Sequence, residues 1–172
     1  MSASLDHINT LHPKIREAAL QAYNDAVRET PKGVHPIITD GYRTYAESDA
    51  LYKLGRTVVN PDGKSTKKPM GDIVSNSKGG QSWHNFGLAI DFALQITNEE
   101  TGKTTTIWDE NHHSWKTVVD AFKAQGFNWG GDFAGSFKDY PHLEKKMGYT
   151  LSQLQAKYTI KDFIPHTNYV NI

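Results

Sequence analysis

Two short segments carry the side chains best suited to hold a metal ion: Ser82-Trp-His84-Asn-Phe-Gly87-Leu-Ala-Ile-Asp91 and Asp139-Tyr-Pro-His142-Leu-Glu144. A catalytic zinc ion takes three protein ligands and leaves a fourth position for water, whose pKa it lowers toward ~7. The chain has no cysteine, so thiolate sites, thiol nucleophiles and disulfides are excluded and any metal site must use histidine and acid. His84, Asp91 and His142 meet that requirement, and a nearby carboxylate can take up and return a proton. Taken singly, each has an ordinary reading: a turn histidine, a strand-end hydrogen bonder, a satisfied core or surface imidazole. Only their ordered combination points to chemistry.

Several elements must position these groups. Leu88, Ile90, Phe92 and Leu94 alternate with Ala89, Asp91 and Ala93, which predicts a strand with one face in the core and Asp91 on the other. Polar Asn98–Lys103 followed by β-prone Thr104–Ile107 makes this a hairpin and the sheet antiparallel. Val34–Thr39 reads as a further strand, placed at an edge by Pro36. Ile15, Ala18, Ala19, Ala22, Tyr23, Ala26 and Val27 form a helical stripe that opens on Pro13 and stops at Thr30-Pro31-Lys32-Gly33. Thr44 caps a helix running to Leu54, with Ala46, Ala50, Leu51 and Leu54 inward and Gly55 as its stop. Trp115, Val118, Val119 and Phe122 make another helix, ended by Gly126 and followed by a strand at Phe127–Trp129, a break at Gly130-Gly131 and an extended Tyr140–Glu144. Thr150 and Gln153 have capping-box spacing before a last helix. Between Arg56 and Ser82 lies a long connection with a possible strand near Ile73, read as a substrate-flanking loop.

The 172 residues fit one domain, and a hydrophobic share of 37 % is enough to build its core. Nineteen basic residues balance nineteen acidic ones, so no global field draws the protein to nucleic acid or anionic lipid. The most apolar stretch, Phe86–Ile96, contains Asp91 and Gln95 and is far shorter than the ~18 residues of a membrane span, so a soluble protein is expected; a monomer is also expected. Met1-Ser-Ala-Ser-Leu-Asp-His-Ile lacks the basic and apolar regions of an export signal. The expected layout is one domain over residues 1–172, with a core at about 10–158 and a C-terminal extension 159–172 docked through Phe163, Ile164, Tyr169 and Val170.

Ser82 to Asp91 fits S-x-H-x-x-G-x-A-x-D, and Asp139 to His142 fits D-x-x-H. Together they resemble the zinc peptidases of the D-alanyl-D-alanine metallopeptidase group, above all the L-alanyl-D-glutamate endopeptidases found among phage endolysins. Gly41-Tyr42-Arg43-Thr44, Leu51-Tyr52-x-x-Gly55-Arg56 and Trp129-Gly130-Gly131 extend the resemblance over roughly residues 10–155. It implies an α+β, hedgehog/D-Ala-D-Ala peptidase-like fold, with a small antiparallel sheet packed by helices and zinc on its open face. The ligands it implies are His84, Asp91 and His142, with Asp139 as general base and Arg43 steadying an oxyanion or a substrate carboxylate. Ser82 resembles a position that contacts substrate but equally suits a turn cap, and of the four tryptophans, read as core or cleft-wall aromatics, Trp129 is the best candidate to line the site.

The activity implied is cell-wall lysis by hydrolysis of peptidoglycan stem peptides at the L-Ala to D-Glu bond. A D-alanyl-D-alanine carboxypeptidase or dipeptidase, and a non-catalytic wall-binding module, are the alternatives. A substrate outside the membrane and no export signal imply release from the cytoplasm through a separate pore or by dedicated secretion. Strand parity puts residues 140, 142 and 144 on one face, so geometry alone prefers Glu144 as base, whereas the family pattern, with Pro141 interrupting the strand, ranks Asp139 first. Arg43 has a competing reading as the partner of Asp40 or Glu47. Lys64, Lys67, Lys68 and Lys78 make the long loop basic, which suits a polymer bearing carboxylates or simply a solvated loop. His7, His12, His35, His112, His113 and His166 do not sit beside carboxylates on strands that could converge and are assigned no chemistry.

Overall fold

The computed structural model describes residues 3–172. The described residues form an α+β fold with five α-helices and a five-stranded antiparallel sheet. They fall into two compact units, each discontinuous in sequence: one takes the chain up to Tyr42 together with Gly87–Met147, the other Arg43–Phe86 and Gly148–Ile172.

The first unit holds the sheet. Strand β2 (Ala89–Thr97) runs through its middle, with β1 (Val34–Asp40) along one side. On the other side β3 (Thr104–Ile107) pairs with the end of β2 and β5 (His142–Glu144) with its start, and β4 (Asn128–Trp129) follows β5. β1 is an edge strand, where the missing N–H of Pro36 leaves no rung of the ladder broken. Ile90, Phe92 and Leu94 are fully buried, as the alternation predicts. Helix α2 (Pro13–Glu29) brings Ile15, Ala19, Ala22, Tyr23 and Ala26 into the core, and α4 (His113–Ala124) brings Trp115, Val118, Val119 and Phe122. Phe92 meets Trp115 with ring centroids 4.4 Å apart. Each large apolar side chain buried this way contributes ~1.5–3 kcal/mol. On the opposite face of β2, Asp91 is half-buried between the fully covered Ala89 and Ala93.

A first helix, α1 (Ala3–Asn9), was not expected from the sequence. It buries Ile8, and its Ser4 hydroxyl accepts the edge-strand N–H of Ile38 at 3.0 Å. Two of the histidines assigned no chemistry are helix caps: Nδ1 of His12 accepts from the Lys14 N–H at the start of α2, and Nδ1 of His112 from the Ser114 N–H at the start of α4, each at 3.2 Å.

The second unit is organised around α3 (Tyr45–Lys53) and α5 (Leu151–Thr159). Both open with full capping boxes, Thr44 with Glu47 and Thr150 with Gln153. The expected inward face of α3 is corrected: Ala46 and Ala50 are exposed, Leu51 and Leu54 are only half-buried, and Ser48 is buried. A methyl group offers little surface, and the helix is seated instead by Tyr45, which stacks on Tyr158 at 4.1 Å and meets Phe86 edge-on at 6.1 Å. The strand expected near Ile73 is also corrected, since Ile73 and Val74 lie in irregular chain and are 53 % and 50 % exposed. Backbone contacts order this loop. A Cβ at Gly55, whose φ is +75°, would stand 2.4 Å from the Asp72 carbonyl oxygen. Asn60 takes the Met70 carbonyl with its own N–H at 2.8 Å and the Asp72 carbonyl with its side chain at 3.0 Å. Near the C-terminus Phe163 bridges to Val170, which is buried.

Candidate metal centre

The antiparallel register of β2 and β5 sets Asp91 directly opposite His142, so the two side chains leave the sheet on one face. The intervening Leu143, opposite Ile90, is fully buried and fixes β5 in that register. Nδ1 of His142 lies 3.2 Å from Asp91 Oδ1, and Nε2 lies 3.1 Å from Glu144 Oε2. Glu144 is 2 % exposed, and its second oxygen receives Lys146 Nζ at 3.1 Å. Both oxygens of this carboxylate are thus engaged, one of them holding the imidazole from behind. That support fixes which nitrogen of His142 faces Asp91 and leaves Nδ1 as the donor available to a metal.

His84 sits on a single 3-10 turn, Trp83–Phe86, and is 3 % exposed. Its N–H donates to the Ser82 hydroxyl at 3.3 Å, and its carbonyl accepts from the Arg43 N–H at 3.0 Å. Gly87, at φ +66°, makes the turn from this helix into the next strand. The residue that sequence reasoning missed is Asn85, 2 % exposed. Its amide donates to the Arg43 carbonyl at 2.8 Å, the Thr44 carbonyl at 3.3 Å and the Ser48 hydroxyl at 2.7 Å, while its oxygen accepts from the N–H groups of Gly80 and Ser82. An asparagine beside a candidate ligand, followed by an apolar residue and a glycine, was the available signal.

One ligand atom each from His84, Asp91 and His142 lies within 4.8 Å of the other two. Donors about 2 Å from a tetrahedral ion stand roughly 3.3 Å apart, and a group of this spacing could hold a single metal ion. Two imidazoles and one carboxylate with a supported ring are a donor set suited to zinc, and among the described residues this is the one such group. Without an ion, burial pushes the His142 imidazole down, but its hydrogen bonds to Asp91 and Glu144 and their charges outweigh burial and lift it to about 9. An incoming metal must therefore displace a proton.

Asp139 is half-buried and held by its backbone: its N–H donates to the Gly130 carbonyl at 3.2 Å, and its carbonyl accepts from the His142 N–H at 3.1 Å. The Gly130-Gly131 break makes this approach possible. A Cβ at Gly130 would stand 2.2 Å from the Asp139 carbonyl oxygen, and one at Gly131 would stand 2.4 Å from the Trp129 ring. Trp129 is half-buried, and its indole N–H donates to the Tyr140 carbonyl at 2.7 Å. Phe133, in the loop that follows, sets its ring 6.0 Å from that of His142. Arg43 is half-buried with its backbone tied to His84 and Asn85, and Ser82 caps the turn that carries His84.

A profile of the D-alanyl-D-alanine carboxypeptidase family matches residues 75–145, the segment that contains all three candidate ligands. The peptidoglycan L-alanyl-D-glutamate endopeptidase CwlK of Bacillus subtilis (strain 168) is 43 % identical over 143 residues, covering 78 % of this chain and 72 % of that protein. The L-alanyl-D-glutamate peptidase of Listeria phage A118 is 38 % identical over 64 residues, 37 % of this chain and 21 % of the phage protein. Among solved structures, the vancomycin resistance D,D-pentapeptidase VanY in complex with Zn(II) aligns with a TM-score of 0.49 at 16 % identity, covering 93 % of this chain and 80 % of that one. The likeness to CwlK over most of both sequences shows that the chain belongs to the L-alanyl-D-glutamate endopeptidase branch of the D-alanyl-D-alanine metallopeptidase family.

Proposed function

We propose that the protein is a zinc-dependent endopeptidase that cuts the L-alanyl-D-glutamate bond of peptidoglycan stem peptides. The observation that carries this reading is the convergence of His84, Asp91 and His142 in a chain 43 % identical to CwlK. Zinc, when bound, supplies a Lewis acid and lowers the pKa of a water toward ~7. Asp139 takes the proton from the attacking water and returns it to the departing amine, a role supported by its backbone ties to Gly130 and His142. Arg43 presents a planar cation to the charge that develops on the carbonyl oxygen. Ser82 and Trp129 line the path of the substrate peptide.

The partner is the stem peptide and not nucleic acid, in keeping with a net charge of zero, and the protein works as a monomer. No helix among the described residues is long and apolar enough to cross a membrane. The enzyme reaches the wall after release through a separate pore or by dedicated secretion, a reading supported by the phage relative.

Digestion of purified muropeptides by the zinc-loaded protein, read by mass spectrometry, tests this. New N-terminal D-Glu that disappears with chelator is expected. Release of free D-Ala would overturn the reading in favour of a D,D-carboxypeptidase, the activity named by the matched family profile. Zinc-loaded protein that binds sacculi without cutting them would make it a binding module. Asp139→Ala should lower turnover by ~10²–10⁴ with zinc retained, and a fully active variant would remove Asp139 as the base.

A further inference from the structure

A pocket of about 330 Å³ in the second unit is lined by Asp49, Tyr52, Lys53, Arg56, Thr57 and Lys78, and none of the candidate metal ligands belongs to it. Three cations face one carboxylate there. The Arg56 guanidinium is fixed by the carbonyls of Tyr52 and Ser75 at 2.6 and 2.7 Å and by Asn76 Oδ1 at 3.0 Å, all uncharged acceptors. It lies 3.9 Å from the centre of the Tyr52 ring, and the Lys78 ammonium lies 5.1 Å from the same ring. Asp49, the acid of the lining, accepts from the Gly79 N–H at 2.9 Å. Among the described residues neither Lys53 nor Lys78 has a carboxylate within ion-pair distance, although other lysines of the chain do, Lys68 with Asp72 among them.

Like charges gathered in a concave site repel one another and focus a positive potential, and an anion relieves that repulsion. The guanidinium is already held in one geometry, so ordering it costs little when a ligand arrives. We propose that the pocket formed by Tyr52, Lys53, Arg56 and Lys78 binds an oxyanion of the wall polymer, a carboxylate or a phosphodiester, and so holds the enzyme on its insoluble substrate. The preference for an oxyanion stands on the pocket alone, and only the polymer as its source rests on the proposed function.

The first test is an NMR titration of the zinc-loaded protein with methyl phosphate and with acetate. Saturable shifts of the backbone amides at 52–56 and 78–79 are expected with at least one of them, and their loss in the K53Q/K78Q double variant. No saturable shift, or shifts that persist in the variant, would overturn the proposal. Both lysines are exposed, so the variant keeps its fold. The second test is co-sedimentation with sacculi before and after hydrofluoric acid strips phosphodiester-linked polymers. A fivefold or greater loss of binding in the variant on both preparations assigns the carboxylate source, and a loss on untreated sacculi alone assigns the phosphodiester. Equal binding of both proteins to both preparations would overturn the tether. Cleavage of a short soluble stem peptide should stay within twofold in the variant. If neither protein cuts that peptide, the endopeptidase reading fails while the NMR result still decides the pocket.

Discussion

Glu144→Gln tests whether the carboxylate behind His142 tunes the metal site. The change keeps the side chain's shape but removes a negative charge 3.1 Å from His142 Nε2, and Lys146, 47 % exposed, can return to solvent. Mutating the hydrogen-bonded partner of a ligating histidine typically costs 10–100-fold in metal affinity, or about 1.4–2.7 kcal/mol. A second effect opposes it. The same charge helps lift the metal-free imidazole to about 9, so the variant also holds the competing proton less tightly. The net loss of zinc affinity should therefore approach its full size above pH 9 and shrink toward pH 6.5. Zinc competition against a chromophoric chelator across that range, with wild type in parallel, measures it. A variant with wild-type affinity at pH 9.5, or a loss that does not change with pH, would refute the orienting role. Full zinc binding with abolished turnover would point to Glu144, in place of Asp139, as the proton carrier.

For the wild-type protein, a His142 pKa of about 9 makes apparent zinc affinity rise about tenfold per pH unit well below that value and about 50-fold in all between pH 7 and 9, with about one proton released per ion at pH 7 as seen by calorimetry in buffers of different ionisation enthalpy. In the metal-free protein the stability from this raised pKa is complete below about 6.5 and lost as pH rises through about 9, which urea unfolding at pH 6 and 9.5 should show as a fall. Asn85→Asp faces two carbonyls and a hydroxyl with a carboxylate that cannot donate to them, and should destabilise the protein by about 2–4 kcal/mol in urea unfolding. A loss under 0.5 kcal/mol would show that the hub is dispensable. Gly130→Ala forces the backbone at Asp139 to move, so turnover should fall at least tenfold with zinc affinity within threefold, and unchanged turnover would show that Asp139 is not held through this contact.

Much of this arrangement could be read from the sequence because local chemistry decided it. The β2 alternation, the two capping boxes and the α2 and α4 stripes each bury or satisfy groups close in sequence, and the structure keeps them. The three candidate ligands were legible because a turn, a strand and a second strand set them at characteristic spacings. What escaped depends on distant partners. α1 has one fully buried apolar residue, Ile8, and is tied down by a serine 34 positions from its partner. α3 turns Ser48 inward because Asn85 waits there, which helical periodicity cannot reveal. Glu144 was weighed as a base on parity, which gave its face but not that both its oxygens are already engaged.

The chain between Gly130 and Asp139 has both ends fixed, by a backbone hydrogen bond and a contact that admits no side chain, while Ala134 to Lys138 lie exposed. Such an anchored span is a natural cassette. Sequences of different length or charge between those two posts leave both anchors in place, provided the glycines at the root are kept.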